Sequence, residues 1–147
     1  MLKINNKILR GVLSMEIKWD QNLAVGVDKI DNQHKELFDR MNKLILAMKE
    51  GKGKTEVMDT LKFLEDYVVK HFNEEEELQK RNNYPKYETQ HKEHEEFKMD
   101  LNNFKSMIEK EGLSSASAIK LQNSMSLWWR KHIKDLDMDL GKFLMKV

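Results

Sequence analysis

Four stretches of this chain repeat their apolar residues at intervals of three and four, and each stretch carries one histidine inside the pattern. The first holds His34, Leu37, Phe38, Met41, Leu44, Ile45 and Met48, and the second Val57, Met58, Leu61, Leu64, Val68, His71, Phe72, Glu75 and Leu78. The third holds His94, Phe97, Leu101 and Phe104, and the fourth Ile119, Leu121, Met125, Leu127, Trp128, Trp129, His132, Ile133 and Leu136. Such recurrence lines one face of an α-helix, and an apolar face must be buried against other helices. Four helices of roughly 20 to 30 residues joined by short loops make antiparallel neighbours. The predicted fold is therefore all-α: an up-down-up-down antiparallel four-helix bundle.

Local signals place the boundaries. Asp31 reads as the N-cap of the first helix, which "EGKGK" closes near Glu50; Thr55 reads as the cap of the second, which "RNNYP" breaks. Pro85, the only proline, suits the first turn of the third helix, which runs to Gly112, and Ser114 or Ser115 starts the fourth. Ahead of them "MEIKWDQNLAVGVDKID" has no helical period and reads as an extended N-terminal arm packed on the bundle by Trp19, Leu23, Val25 and Ile30. The ten methionines and the aromatic stripe read as core filling.

Residues 1–14 stand apart, with apolar residues broken by Lys7 and Arg10 and no small-residue cleavage site behind them. They are expected to be a non-native or disordered extension, with Met15 the natural start and 15–147 a single bundle domain.

Composition removes several classes of function. Twenty-six basic and 25 acidic side chains nearly cancel, so nucleic acid, which calls for a basic face, is not the expected partner. There are no cysteines, hence neither disulfides nor thiolate metal ligands. No apolar run approaches the roughly 20 residues that span a bilayer. A cytoplasmic monomer without membrane attachment is expected.

A single histidine on an apolar helix face is more often a hydrogen-bonded core residue than a ligand. Four such histidines, His34, His71, His94 and His132, one on each helix, are hard to explain as packing. Glu75 lies four residues after His71 and shares its face, and in the run 74–77 only Glu75 has the phase to point inward beside it. A buried carboxylate needs a cation or strong donors. Imidazole with carboxylate and no thiolate suits iron, manganese or zinc, and a carboxylate that can bridge suits a metal pair. On the fourth helix periodicity favours Asp135, three after His132, because Asp137 falls about 140° away from it.

The segments "WDQNLAVGVDKIDNQHKELF", "HFNEEEEL", "YPKYETQHKEHEEF" and "WWRKHIKDLDMDL" together resemble the bacterial hemerythrin family, from Met15 to the last residues. The resemblance implies two non-haem iron ions joined by a bridging oxo or hydroxo group, with dioxygen as the ligand and a separate, unidentified reductant. It implies that His34 and His71 ligate the iron with an open position, that Glu75 and Asp137 bridge both irons, and that His94 and His132 serve the second iron. Asp137 then displaces Asp135, and the fourth helix must leave ideal geometry just after His132.

One position departs from the family. Gln90 stands where the family has a further histidine for the second iron, four residues before His94, while His91 lies about 100° off the inward stripe. Three arrangements are open: Gln90 ligating through its amide oxygen, a water held by Gln90, or a distorted helix start that swings His91 inward. The first two cost less, because turning the helix breaks backbone and packing interactions. An exchangeable position on the second iron implies faster autoxidation than in the family at large. The expected function is oxygen storage, delivery or sensing, most simply a carrier and not an enzyme. The alternatives are a di-iron redox enzyme acting on peroxide or nitric oxide, and a helical interaction module with no metal pair.

Overall fold

The computed structural model describes residues 17–147; the expectation for residues 1–14 lies outside them. The four predicted helices are α1 (Asp28–Lys49), α2 (Lys54–Arg81), α3 (Tyr87–Glu111) and α4 (Ser115–His132), and each packs on its two neighbours in a closed up-down-up-down ring. Helix α4 runs on through a π-helical turn, Ile133–Asp137, into a short α5, Met138–Leu144. No helix among the described residues is long and apolar enough to cross a membrane.

The inward stripes are those of the periodic reading. Leu37, Met41, Leu44, Leu61, Leu64, Val68, Phe72, Ile108 and Trp129 are fully buried and form one continuous core. Burying each large apolar side chain contributes roughly 1.5–3 kcal/mol, so the core needs no help from the polar site to hold the helices together. Four residues assigned to the core by periodicity or composition are instead exposed: Met99, Ile119, Leu127 and Met145. Each lies on the outward side of its helix or at the chain end, where no facing element covers it.

Three boundaries also differ. Helix α1 begins at Asp28, with Val27 at its N-cap, so Asp31 does not cap it. The Asp31 carboxylate instead turns back to the arm, accepting hydrogen bonds from the backbone N–H of Val25 (2.8 Å) and Gly26 (3.3 Å). Helix α2 begins one residue after Gly53, so Thr55 is already inside it. Pro85 sits in the turn ahead of α3 and not in its first helical turn. Ser114 does cap α4, its hydroxyl accepting from Ser117 N–H at 3.0 Å.

The arm packs on the bundle as expected through buried Ile17, Leu23 and Val25 and partly buried Trp19, but it carries a 3-10 turn at Gln21–Leu23. Ile30, read as part of the irregular arm, is instead buried within α1. The arm is tied to α1 by Asn42, which exchanges two hydrogen bonds with the backbone of Ile17 (3.2 and 2.8 Å). It also lies so close to α5 that a Cβ at Gly141 would run into the Val25 carbonyl oxygen.

Candidate metal centre

All seven site residues read from the sequence come together inside the bundle. His34, His71, Gln90, His94 and Asp137 are fully buried, and Glu75 and His132 nearly so. Spacing explains the placement on α2 and α3, where His71 with Glu75 and Gln90 with His94 are each four apart on one face. On α4 the π turn explains it. Met138 N–H bonds the carbonyl of Ile133, five residues back, so the turn holds one residue more than an α-turn. Asp137 is thereby carried round beneath His132 and buried, while Asp135 is left exposed. The periodic choice of Asp135 is overturned by that extra residue.

The two inner carboxylates each face both halves of the cluster. Glu75 places Oε2 3.1 Å from His71 Nε2 and Oε1 3.5 Å from His94 Nε2. Asp137 places Oδ2 3.1 Å from His34 Nε2 and Oδ1 3.3 Å from His132 Nε2. Two groups of three potential metal donors result, His34 with His71 and Glu75, and Glu75 with His94 and His132, each within 4.8 Å and sharing Glu75.

The donor set fits a pair of cations. His34 Nε2, His71 Nε2, Glu75 Oε2, Asp137 Oδ2 and Gln90 Oε1 are all buried without a hydrogen-bond partner among the described residues. Buried polar atoms are ordinarily paired; these five gather at one place, where His34 with Asp137 and His71 with Glu75 meet only as close nitrogen–oxygen contacts. Protons must otherwise supply the positive charge. Burial lowers His132, but Asp137 and Glu93 outweigh it and push the imidazole up to about 10. Burial likewise opposes ionisation of Asp137, yet facing His132 and His34 holds it well below the usual carboxylate range. His71 goes the other way, lowered chiefly by burial.

The outward nitrogens of three of the four histidines are held by residues the sequence reading missed. His71 Nδ1 is 2.7 Å from Gln33 Oε1, His94 Nδ1 is 2.9 Å from Glu76 Oε2, and His132 Nδ1 is 3.0 Å from Glu93 Oε1. Each acceptor is an oxygen, so each Nδ1 donates a proton and Nε2 is the nitrogen turned to the centre, where those of His94 and His132 lie 3.1 Å apart. Gln33 is itself fixed by donating to Glu74 Oε2 at 2.8 Å. Glu76 corrects the expectation that Glu75 alone of its run points inward, for it is buried at 8% exposure. Burial would raise Glu76, but hydrogen bonds from His94 and His91 bring it to about 2.

Gln90, not His91, faces the centre. Its Nε2 donates to Asp137 Oδ1 at 2.9 Å. The His91 side chain is 44% exposed, with Nδ1 2.6 Å from Glu76 Oε1 and its ring stacked on Tyr87. The helix start is undistorted at this point, so the swung-in His91 does not occur. Aromatic rings close the site: Phe72 stacks on His94 at 3.9 Å, Trp128 on His132 at 4.5 Å, and buried Trp129 lies 5.9 Å from His34 and 6.1 Å from His71.

Comparison with known proteins agrees with this geometry. The family model "Hemerythrin HHE cation binding domain" matches residues 25–144. A bacteriohemerythrin of Clostridium acetobutylicum is 33% identical over 89 residues, 58% of this chain and 69% of that one. A hemerythrin-like protein of Naegleria gruberi is 33% identical over 121 residues, 82% of this chain and 87% of its own. A solved crystal structure, of a leucine-to-phenylalanine mutant, superposes with a TM-score of 0.77 at 25% identity, covering 86% of this chain and 95% of that one.

Proposed function

The chain belongs to the hemerythrin family, and on that premise we propose that it is a non-haem di-iron protein that binds dioxygen reversibly, for storage, delivery or sensing. The observation that carries the reading is the pair of three-donor groups sharing Glu75, with His34 Nε2, His71 Nε2 and Glu75 Oε2 left without a hydrogen-bond partner among the described residues. His34 and His71 would hold one iron, His94 and His132 the other, with Glu75 and Asp137 spanning both and Gln90 beside the second. When bound, two ferrous ions supply the electrons that reversible dioxygen binding draws on.

The chain's own residues do the rest. Phe72, Trp129 and Ile133 are fully buried around the cluster and Phe38 nearly so, which keeps bulk water out and protects a reversible site from side reactions. Gln90 ties one oxygen of Asp137 with its amide N–H. It offers only a neutral amide oxygen in return, a weaker iron donor than imidazole.

That weaker donor favours a second reading, a di-iron redox enzyme acting on peroxide or nitric oxide. The protein acts as a cytoplasmic monomer in either case and relies on a separate reductant. The deciding experiment is anaerobic ferrous loading followed by cycles of oxygen addition and removal. Two irons per chain and a visible absorption that comes and goes with oxygen are expected. Fewer than two irons removes the metal-pair reading, and steady turnover of peroxide with an added reductant would move the assignment to the redox enzyme.

A further inference from the structure

The acceptors behind the histidines run around the bundle in order. Gln33 on α1 holds His71 on α2, Glu76 on α2 holds His94 on α3, and Glu93 on α3 holds His132 on α4. The series stops there, since His34 Nδ1 has no partner among the described residues. The acceptors are also unequal. His94 and His132, on the side where Gln90 replaces an imidazole, each rest on a carboxylate; His71 rests on an amide and His34 on nothing.

We propose that Glu76 and Glu93 are positioning residues that strengthen His94 and His132 as metal donors and so offset the imidazole that Gln90 lacks. The inference rests on the metal-pair reading above. A carboxylate accepting from Nδ1–H locks the ring and enriches the lone pair at Nε2, and loss of such a partner typically lowers metal affinity by about 10–100-fold. Packing alone explains these carboxylates poorly. Glu76 is buried with both oxygens engaged, one by His94 at 2.9 Å and one by His91 at 2.6 Å. A carboxylate is costly to bury unless charge or hydrogen bonding requires it there. The histidine that stands one residue past the glutamine thus acts at one remove, by pinning Glu76 against His94.

The test is an anaerobic titration of the full chain with ferrous or cobaltous ion, resolving the two uptake steps, in the parent and in Glu93→Gln. The glutamine keeps the size and an acceptor oxygen but removes the charge, and Glu93 is partly exposed, so folding is checked by a melt of the metal-free protein. One step is expected to weaken by roughly 10–100-fold while the other stays put. Adding Gln90→His in the Glu93→Gln background is expected to restore the weakened step. Equal weakening of both steps, no weakening, or no rescue overturns the inference. A parent that takes up fewer than two metals overturns the metal-pair reading and this inference with it; two metals indifferent to Glu93 overturn the inference alone.

Discussion

Asp135 and Asp137 carry the same carboxylate two positions apart, and the π turn sends the first to solvent while it buries the second against His34 and His132. Asp137→Asn is therefore expected to reduce iron content per chain, with Asp135→Asn unchanged, as read by metal analysis after anaerobic loading. His132 offers a pH prediction for the metal-free protein. Its folded value, about 10, lies above the ordinary 6.5. The stability it contributes is complete below about pH 6.5 and is lost as pH rises through about 10. Melting temperatures should fall across that window in the parent and more weakly in His132→Gln, while metal uptake, which requires the neutral imidazole, strengthens. The inner residues were legible because periodicity puts them on the buried faces, except Asp137, which only the family resemblance picked out. The acceptors were not, although each adjoins an inner residue in sequence: Gln33 beside His34, Glu76 beside Glu75, Glu93 beside His94. A step of one residue turns a helix by about 100°, which carries these side chains from the central face to the seam with the next helix.

Among the elements, the helices were readable because their apolar stripes are long, whereas caps and turns depend on what lies across from them. Asp31 shows why: its carboxylate satisfies two backbone N–H groups of the arm, a partner no local pattern encodes. The arm is then pressed onto α5 at Gly141. Gly141→Ala would set a methyl group against the Val25 carbonyl, and overpacking of this kind costs about 1–3 kcal/mol. A drop of several degrees in the melting temperature is expected, and a control at Gly53, where a Cβ meets nothing, should show little change. The family's spacing implies only a departure from ideal geometry after His132; that it is a π turn comes from the structure, and the apolar pattern through Ile133 and Leu136 gives no sign of the extra residue.

Over the whole molecule, ligands and core are separable. The apolar core continues far from the cluster, through Leu44, Leu61, Leu64 and Ile108, so removing metal should leave the helical circular dichroism intact. Stability should still fall, because a cation bound only by the native state stabilises it by mass action, about 4 kcal/mol when present at a thousandfold its dissociation constant. As the site residues come from all four helices, hydrogen exchange should slow in all four together on loading, and protection confined to one helix pair would contradict a shared site. The single extra residue between His132 and Asp137 also decides which changes in gene length the protein survives. Deleting one codon there would leave the aspartate four residues after His132, the interval that an ordinary α-turn already puts on one face as it does for His71 and Glu75, whereas adding one would carry it about 100° further round. A codon added between Glu50 and Gly53, in the connection from α1 to α2, moves no ligand within its helix. Drift by substitution is thus open over much of the surface, while on α4 count and pitch are tied together: five residues with a π turn, or four with an α-turn.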